Sequence, residues 1–388
     1  MKKGFRTGRR TILAAGAAIQ LLTGFPSAWG VFREPVMRDF ALDGPSAGFA
    51  ANCIVAAYGL GCVLGGFLQD RKGPKPAALT GTVLLCGGLL AAGMIPGERA
   101  GLFYLAFSLP VGLGCAFLYP AVMGCVQKWY WGRKGLATGV VGLGVGLSGL
   151  VLTLLVNAAV PRWGTRGCFF LLAALLLPLC GTGSLLLRDP PGYQAPEQGE
   201  GLGPVQMLKT RAFRLAFCSM ALATPALLLF SPRIPELAAE RGLAPWAAAW
   251  IVAAGSFGSA AGRLAAPWAG DRLGQKKTDL VLFSALFGLS VWFAVAEGWT
   301  AAACYVLLCL CYAGQMAVMP SLCTRIFGLA HTGVNYGFLA LGASLGSLGF
   351  PFLARTLGLE QGRHALAALC ALGGFWCLTR LNTGEGER

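Results

Sequence analysis

Apolar residues run through this chain in blocks of about twenty, separated by short segments rich in Lys, Arg, Gly and Pro. Twelve such runs fall at roughly 11–32, 47–68, 76–95, 101–125, 136–159, 167–186, 213–231, 247–267, 278–297, 300–322, 333–355 and 364–380. The hydrocarbon core of a bilayer takes about 20 mostly apolar residues per helix. The pattern therefore predicts an all-α membrane protein with twelve transmembrane helices. The longest polar stretch, 188–211, carries Pro, Gly, Gln and Glu and reads as a linker between a first six-helix bundle over 1–187 and a second over 212–388. The first run follows the basic segment MKKGFRTGRR and so imitates a signal peptide. It is long enough to span, and no convincing cleavage site follows, so a retained helix is expected.

Composition sharpens this picture. The 388 residues are 56% hydrophobic and 12% charged, whereas soluble domains are about 25% charged. A water-soluble fold of this composition would lack a polar surface. The 57 Gly suit close helix packing in lipid. The net charge of +15 could point to nucleic acid, but the basic residues sit in short clusters between apolar runs. With the N-terminus placed inside, 21 of the 31 Lys and Arg fall in inside segments, 9 in outside loops, and Arg263 within a run. The positive-inside rule then predicts both termini on the cytoplasmic face of an inner membrane and no nucleic-acid partner. The 14 Cys lie mostly within apolar runs without a CxxC pair, and only two His occur. Packing explains such cysteines, and no metal, disulfide or cofactor is expected.

The two parts of the chain repeat. Asp70, Arg71 and Gly73 follow the second run, and Asp271, Arg272 and Gly274 follow the eighth, 201 residues later. Pro120 and Pro320 are separated by 200, as are Gly142, Gly146 and Gly149 from Gly342, Gly346 and Gly349. Three kinds of landmark at one offset indicate parallel six-helix repeats, an arrangement in which secondary transporters place the substrate site at the repeat interface.

The segment Gly66-Phe-Leu-Gln-Asp70-Arg71-Lys-Gly73-Pro-Lys75 resembles the G-x-x-x-D-R-x-G-x-[RK] signature of the major facilitator superfamily. The second copy departs from it by placing Pro267 where the first has Gly66. The resemblance implies that Gly66, Asp70, Arg71, Gly73, Asp271, Arg272, Gly274 and Arg133 form a cytoplasmic latch that breaks as the halves rock. In that latch the carboxylate faces a helix N-terminus and the neighbouring Arg bridges helix ends. A plain basic turn is the competing interpretation of the same residues. Ala28-Trp29-Gly-Val-Phe32, Lys128-Trp129-Tyr-Trp-Gly-Arg133-Lys-Gly135-Leu-Ala-Thr-Gly139 and the pair Ile326-Phe327-Gly328 and Asn335-Tyr336-Gly337 further resemble the oxalate:formate antiporter and monocarboxylate transporter branch.

One charge stands inside a run. Arg263 lies eight residues before Asp271, about 12 Å of helix rise from that end. An Arg within the bilayer costs roughly 2.5–3.5 kcal/mol and must face a cavity or a partner. Asp279 and Glu297 fall at the two ends of the ninth run, and Glu34 at the outer end of the first, so no mid-membrane acid is evident. A guanidinium fork matches a carboxylate bidentately, and carboxylate carriers of the resembling branch bind substrate through an Arg in the eighth helix. Snorkelling to the turn is the structural alternative. Those oxalate carriers add a Lys in the eleventh helix, where this chain has Ala343. A single positive charge favours a monocarboxylate over a dianion. Tyr119, Gln315, Tyr58, Asn52, Gln20, Trp29 and Tyr336 are further candidates to line the cavity, Tyr119 because its position matches a substrate-contacting Tyr in the resembling carriers.

The expected function is carriage of a small organic anion by alternating access, with exchange or facilitated diffusion favoured over a carboxylate-relayed proton symport. A second reading keeps the fold and exports a neutral or cationic compound. A third, a membrane enzyme or sensor, lacks both a nucleophile–base or metal constellation and an appended soluble domain. A monomer is expected by analogy with carriers of this fold.

Overall fold

The computed structural model describes residues 8–96, 100–192, 201–359 and 362–382. Most of the basic N-terminal cluster, linker residues 193–200 and Arg388 lie outside the described residues. The chain is helical throughout: α1 Arg9–Leu21, α2 Phe25–Asp39, α3 Gly44–Lys72, α4 Pro74–Met94, α5 Ala100–Phe103, α6 Leu109–Trp129, α7 Lys134–Leu186, α8 Pro204–Lys209, α9 Arg211–Ala223, α10 Pro225–Leu228, α11 Ile234–Glu240, α12 Pro245–Leu273, α13 Gln275–Val295, α14 Gly298–Phe327, α15 Thr332–Thr356 and α16 Arg363–Thr379. Among the described residues, nine helical stretches are long and apolar enough to cross a membrane. One of these, α7, is two helices joined at Gly164, whose φ of +68° permits the turn. The carboxylate of Asp39 accepts the Thr165 N–H just beyond that turn at 3.2 Å. Pro245–Leu273, with Arg263 inside it, and the 17-residue α16 fall outside the nine.

Two expected runs are broken. The first becomes α1 and α2, separated at Leu22–Gly24 just before Pro26; the seventh becomes α9 and α10, separated at Thr224 before Pro225. Proline removes the N–H that would continue the helix and crowds the preceding turn. The hydroxyl of Thr224 donates to the carbonyl of Ala221, the acceptor that Pro225 leaves without its helical N–H, at 2.8 Å, and that of Ser27 donates to the Gly24 carbonyl, also at 2.8 Å. Broken helices persist in a bilayer where they face protein or a cavity.

The core is aromatic. Phe25, Phe32, Phe40, Phe103, Phe107 and Phe169 are fully buried together, with Phe103 and Phe107 stacked at 5.0 Å. The part of the chain before the linker meets the part after it along two seams, where α3 packs on α15 and α7 packs on α12. The linker itself lies against the second part. Leu202 N–H donates to the Phe327 carbonyl at 2.9 Å, and the Asn335 amide donates to the Leu202 carbonyl at 3.0 Å.

Candidate substrate cavity and interhelix clasps

The repeated Asp-Arg-x-Gly segments end α3 and α12. Gly73 and Gly274 terminate these helices with φ of +88° and +94°, a conformation that costs other residues. The turns leave Asp70 and Asp271 facing the opposite part of the chain. Asp70 accepts the Gly333 and Val334 N–H groups at 3.1 and 2.9 Å, at the N-terminus of α15. Asp271 accepts the Gly135 and Leu136 N–H groups at 2.9 and 3.0 Å, at the N-terminus of α7. Each carboxylate satisfies two amides that a helix leaves without a partner and meets the positive end of its dipole. The two clasps are equivalent across the repeat.

The neighbouring arginines do not bridge helix ends. Arg71 lies over the Phe67 ring at 5.9 Å and Arg272 over the Trp268 ring at 4.1 Å, each one turn back on its own helix. This differs from the expected latch because an exposed guanidinium finds a π-face four residues away while the backbone amides already satisfy the aspartate. Arg133 is exposed in the loop before α7.

Below the clasps the seams are built for close approach. A Cβ at Gly66 would run into the Gly333 backbone, and one at Gly135 into the Pro267 carbonyl. The departure of the second motif at Pro267 is thus absorbed by Gly135 on the facing helix. Farther along, a Cβ at Gly139 would come to 2.8 Å from the Leu264 carbonyl oxygen and one at Gly146 to 2.6 Å from Cα of Ala260. On α3, Gly59 similarly abuts Ser344 of α15, whereas Asn52, two turns earlier on the same face, is exposed. The α3–α15 seam is thus tight on the linker side and open at its other end.

Arg263 sits at the middle of this arrangement. Its Nε is buried, and among the described residues neither an acid nor a carbonyl engages its guanidinium. It is near enough to the phenols of Tyr58, Tyr119 and Tyr312 for its charge to act on all three. Tyr119 stacks on Tyr336 at 5.7 Å between ring centroids and meets Tyr58 edge-on at 6.5 Å. These residues come from α3, α6, α12, α14 and α15, so both parts of the chain contribute to one group of a cation and hydroxyls.

The structure gathers Arg263, Tyr119, Tyr58 and Tyr336 as candidate lining residues and leaves others apart. Trp29 packs on Phe107 at 6.0 Å within the aromatic core. Gln20 is buried on α1 and accepts the Thr23 hydroxyl at 3.2 Å. Gln315 is completely buried on α14, and its amide has no hydrogen-bond partner among the described residues. Asp279 stands near the start of its helix, as the sequence places it, and is fully buried there. It lies in the second turn of α13, where α12, α14 and α16 pack against that helix. Tyr312 escaped sequence reasoning, since its repeat counterpart is Gly112 and it breaks no apolar pattern.

A family model described as the Major Facilitator Superfamily matches residues 12–234, more than half of the chain. The chain belongs to the major facilitator superfamily. This superfamily membership makes it a multi-pass membrane transporter rather than an enzyme. Its curated relatives include monocarboxylate transporter 13 of Bos taurus, 26% identical over 347 residues that cover 88% of this chain and 80% of that protein. Monocarboxylate transporter 11 of Homo sapiens is 27% identical over 289 residues, 72% of this chain and 60% of that one. By name these relatives are monocarboxylate transporters, similar to this chain at low identity. Among solved structures, a bacterial homologue of the iron transporter ferroportin in an outward-facing state shares the fold, with a TM-score of 0.76 over 96% of this chain and 98% of that one at 14% identity.

Proposed function

We propose that this transporter moves a small organic monoanion, a monocarboxylate, across the membrane by alternating access, with Arg263 as the substrate's counter-charge. The observation that carries this reading is Arg263 itself, whose buried Nε has no hydrogen-bond partner among the described residues and which stands among tyrosines from both parts of the chain. A carboxylate would meet the guanidinium fork with two charge-assisted hydrogen bonds and find phenolic donors beside it. One cation with no second lysine suits one negative charge. The names of the sequence relatives support the same class.

In this reading twelve helices form two six-helix repeats, 1–187 and 212–388, joined by the linker 188–211, and the transporter works as a monomer in the inner membrane. The Lys and Arg distribution puts the linker and both termini on the cytoplasmic side. The clasps of Asp70 and Asp271 close the cytoplasmic end of the cavity, and the exposed far end of α3 leaves it open outward. Release of both clasps and parting of the glycine seams would then turn Arg263 toward the cytoplasm.

The test is a thermal-stability screen of purified protein against small mono- and dicarboxylates, with Arg263→Ala alongside. A ligand that binds only the folded state raises apparent stability with its concentration. Monocarboxylates are expected to stabilise the wild type and to leave Arg263→Ala unshifted. Stabilisation by neutral or cationic compounds alone would overturn the anion reading in favour of an exporter of such compounds.

A further inference from the structure

We infer that Asp279 and Gln315 form a proton-binding site inside the helices that follow the linker, separate from the group of tyrosines around Arg263. Both side chains are completely shielded from solvent. Neither oxygen of the Asp279 carboxyl and neither polar atom of the Gln315 amide has a hydrogen bond of good geometry among the described residues. The two helices that carry them, α13 and α14, pack on one another.

The charged groups on the surrounding helices are all engaged or placed elsewhere. On α12, Asp271 is bonded to α7, Arg272 lies over Trp268, and Arg263 stands among the cavity tyrosines. On α14, Arg325 donates to the Gln275 side chain at 3.1 Å. Just past the end of α16, Arg380 lies over Trp376 at 5.7 Å, and at its start stand Arg363, which has a partner of its own, and His364, stacked on Phe230 at 4.6 Å. On α13 itself, Lys276 donates to the Leu381 carbonyl at 2.6 Å, and Lys277 is exposed. The segment α10 carries no charged residue.

An ionised carboxylate in that place would be buried without a counter-charge, an arrangement that costs several kcal/mol. A neutral carboxyl resolves the conflict. Its O–H donates to the Gln315 amide oxygen, and its carbonyl oxygen accepts from the Gln315 amide N–H. One proton from water forms the O–H bond, and the pair becomes uncharged and self-satisfied. Gln315 adjoins Gly314, whose open side is filled by Cβ of Ala266 and the carbonyl of Gly262, the residue before Arg263. The proton therefore sits one helix layer behind the cation of the cavity, where its departure would create the opposite charge.

Infrared titration of the purified protein tests this without any transported substrate, so its outcome is independent of whether the cavity takes an anion. At neutral and mildly alkaline pH the wild-type protein is expected to show a protonated-carboxyl stretch, a band that Asp279→Asn lacks and that Gln315→Leu moves to higher frequency. Aspartate-specific carbon-13 labelling of the wild type should shift the same band, which keeps the test decisive if a variant folds poorly. Identical spectra for wild type and Asp279→Asn at neutral and mildly alkaline pH, or a band untouched by the label, would overturn the inference.

Discussion

Gly142 and Arg263 meet across the two parts of the chain, and a Cβ at position 142 would come to 3.1 Å from the Cβ of Arg263. The proposed counter-charge is therefore mounted on a seam that has to part during transport. One turn farther along, a Cβ at Gly146 would come to 2.6 Å from the Cα of Ala260, a backbone atom that cannot swing aside. Gly146→Ala is expected to destabilise the closed seam and to raise amide hydrogen exchange over 260–273 relative to wild type. Unchanged exchange there would refute the close fit.

The clasps predict a second effect. Replacing a capping Asp by Ala costs about 0.5–2 kcal/mol at a helix N-terminus. Asp70→Ala and Asp271→Ala are each expected to shift the conformational equilibrium toward an opened linker side, and the double variant by the sum because the two sites are separate. Exchange at the first amides of α15 and α7 reports each clasp individually. Protection retained at Val334 in Asp70→Ala would count against the geometry.

The phenols carry a third expectation. Removing one hydroxyl that donates to a bound carboxylate loses roughly 1.5–3 kcal/mol. Tyr119→Phe and Tyr336→Phe should weaken carboxylate stabilisation by about tenfold or more in ligand concentration. Tyr305→Phe is the control, since Tyr305 bonds the Ser231 hydroxyl at 3.2 Å away from the cavity, and its ligand response should match wild type.

Arg263→Lys separates charge from shape. Lysine keeps the positive charge and loses the planar fork. Partial stabilisation by monocarboxylates is expected, between that of wild type and that of Arg263→Ala, when thermal shifts are compared at equal ligand concentration. A lysine variant equal to wild type would reduce the role of Arg263 to a point charge.

Features that break a one-dimensional pattern were legible in the sequence. Arg263 interrupts an apolar run, and the Asp70 and Asp271 segments recur at one offset with the glycines their turns require. What escaped was the facing of side chains on helices that are apolar nearly all round, because such helices carry no polar stripe to show which side is inward. Trp29 and Gln20 were candidates of this kind; Trp29 packs on Phe107, and Gln20 accepts the Thr23 hydroxyl. Asn335 is spent on holding Leu202 of the linker. The breaks before Pro26 and Pro225 were masked by the apolar residues on both sides, although the two prolines stand at nearly equivalent places in the repeat.

Both clasps pair a side chain with main chain. On the receiving helices the donors are the amides of Gly135, Leu136, Gly333 and Val334, groups that nineteen of the twenty amino acids supply alike. At positions 136 and 334, residue identity is therefore irrelevant to the clasp with one exception. Proline there would delete a donor while remaining compatible with the first turn of a helix, so Leu136→Pro and Val334→Pro should loosen the closure from the side of the receiving helix.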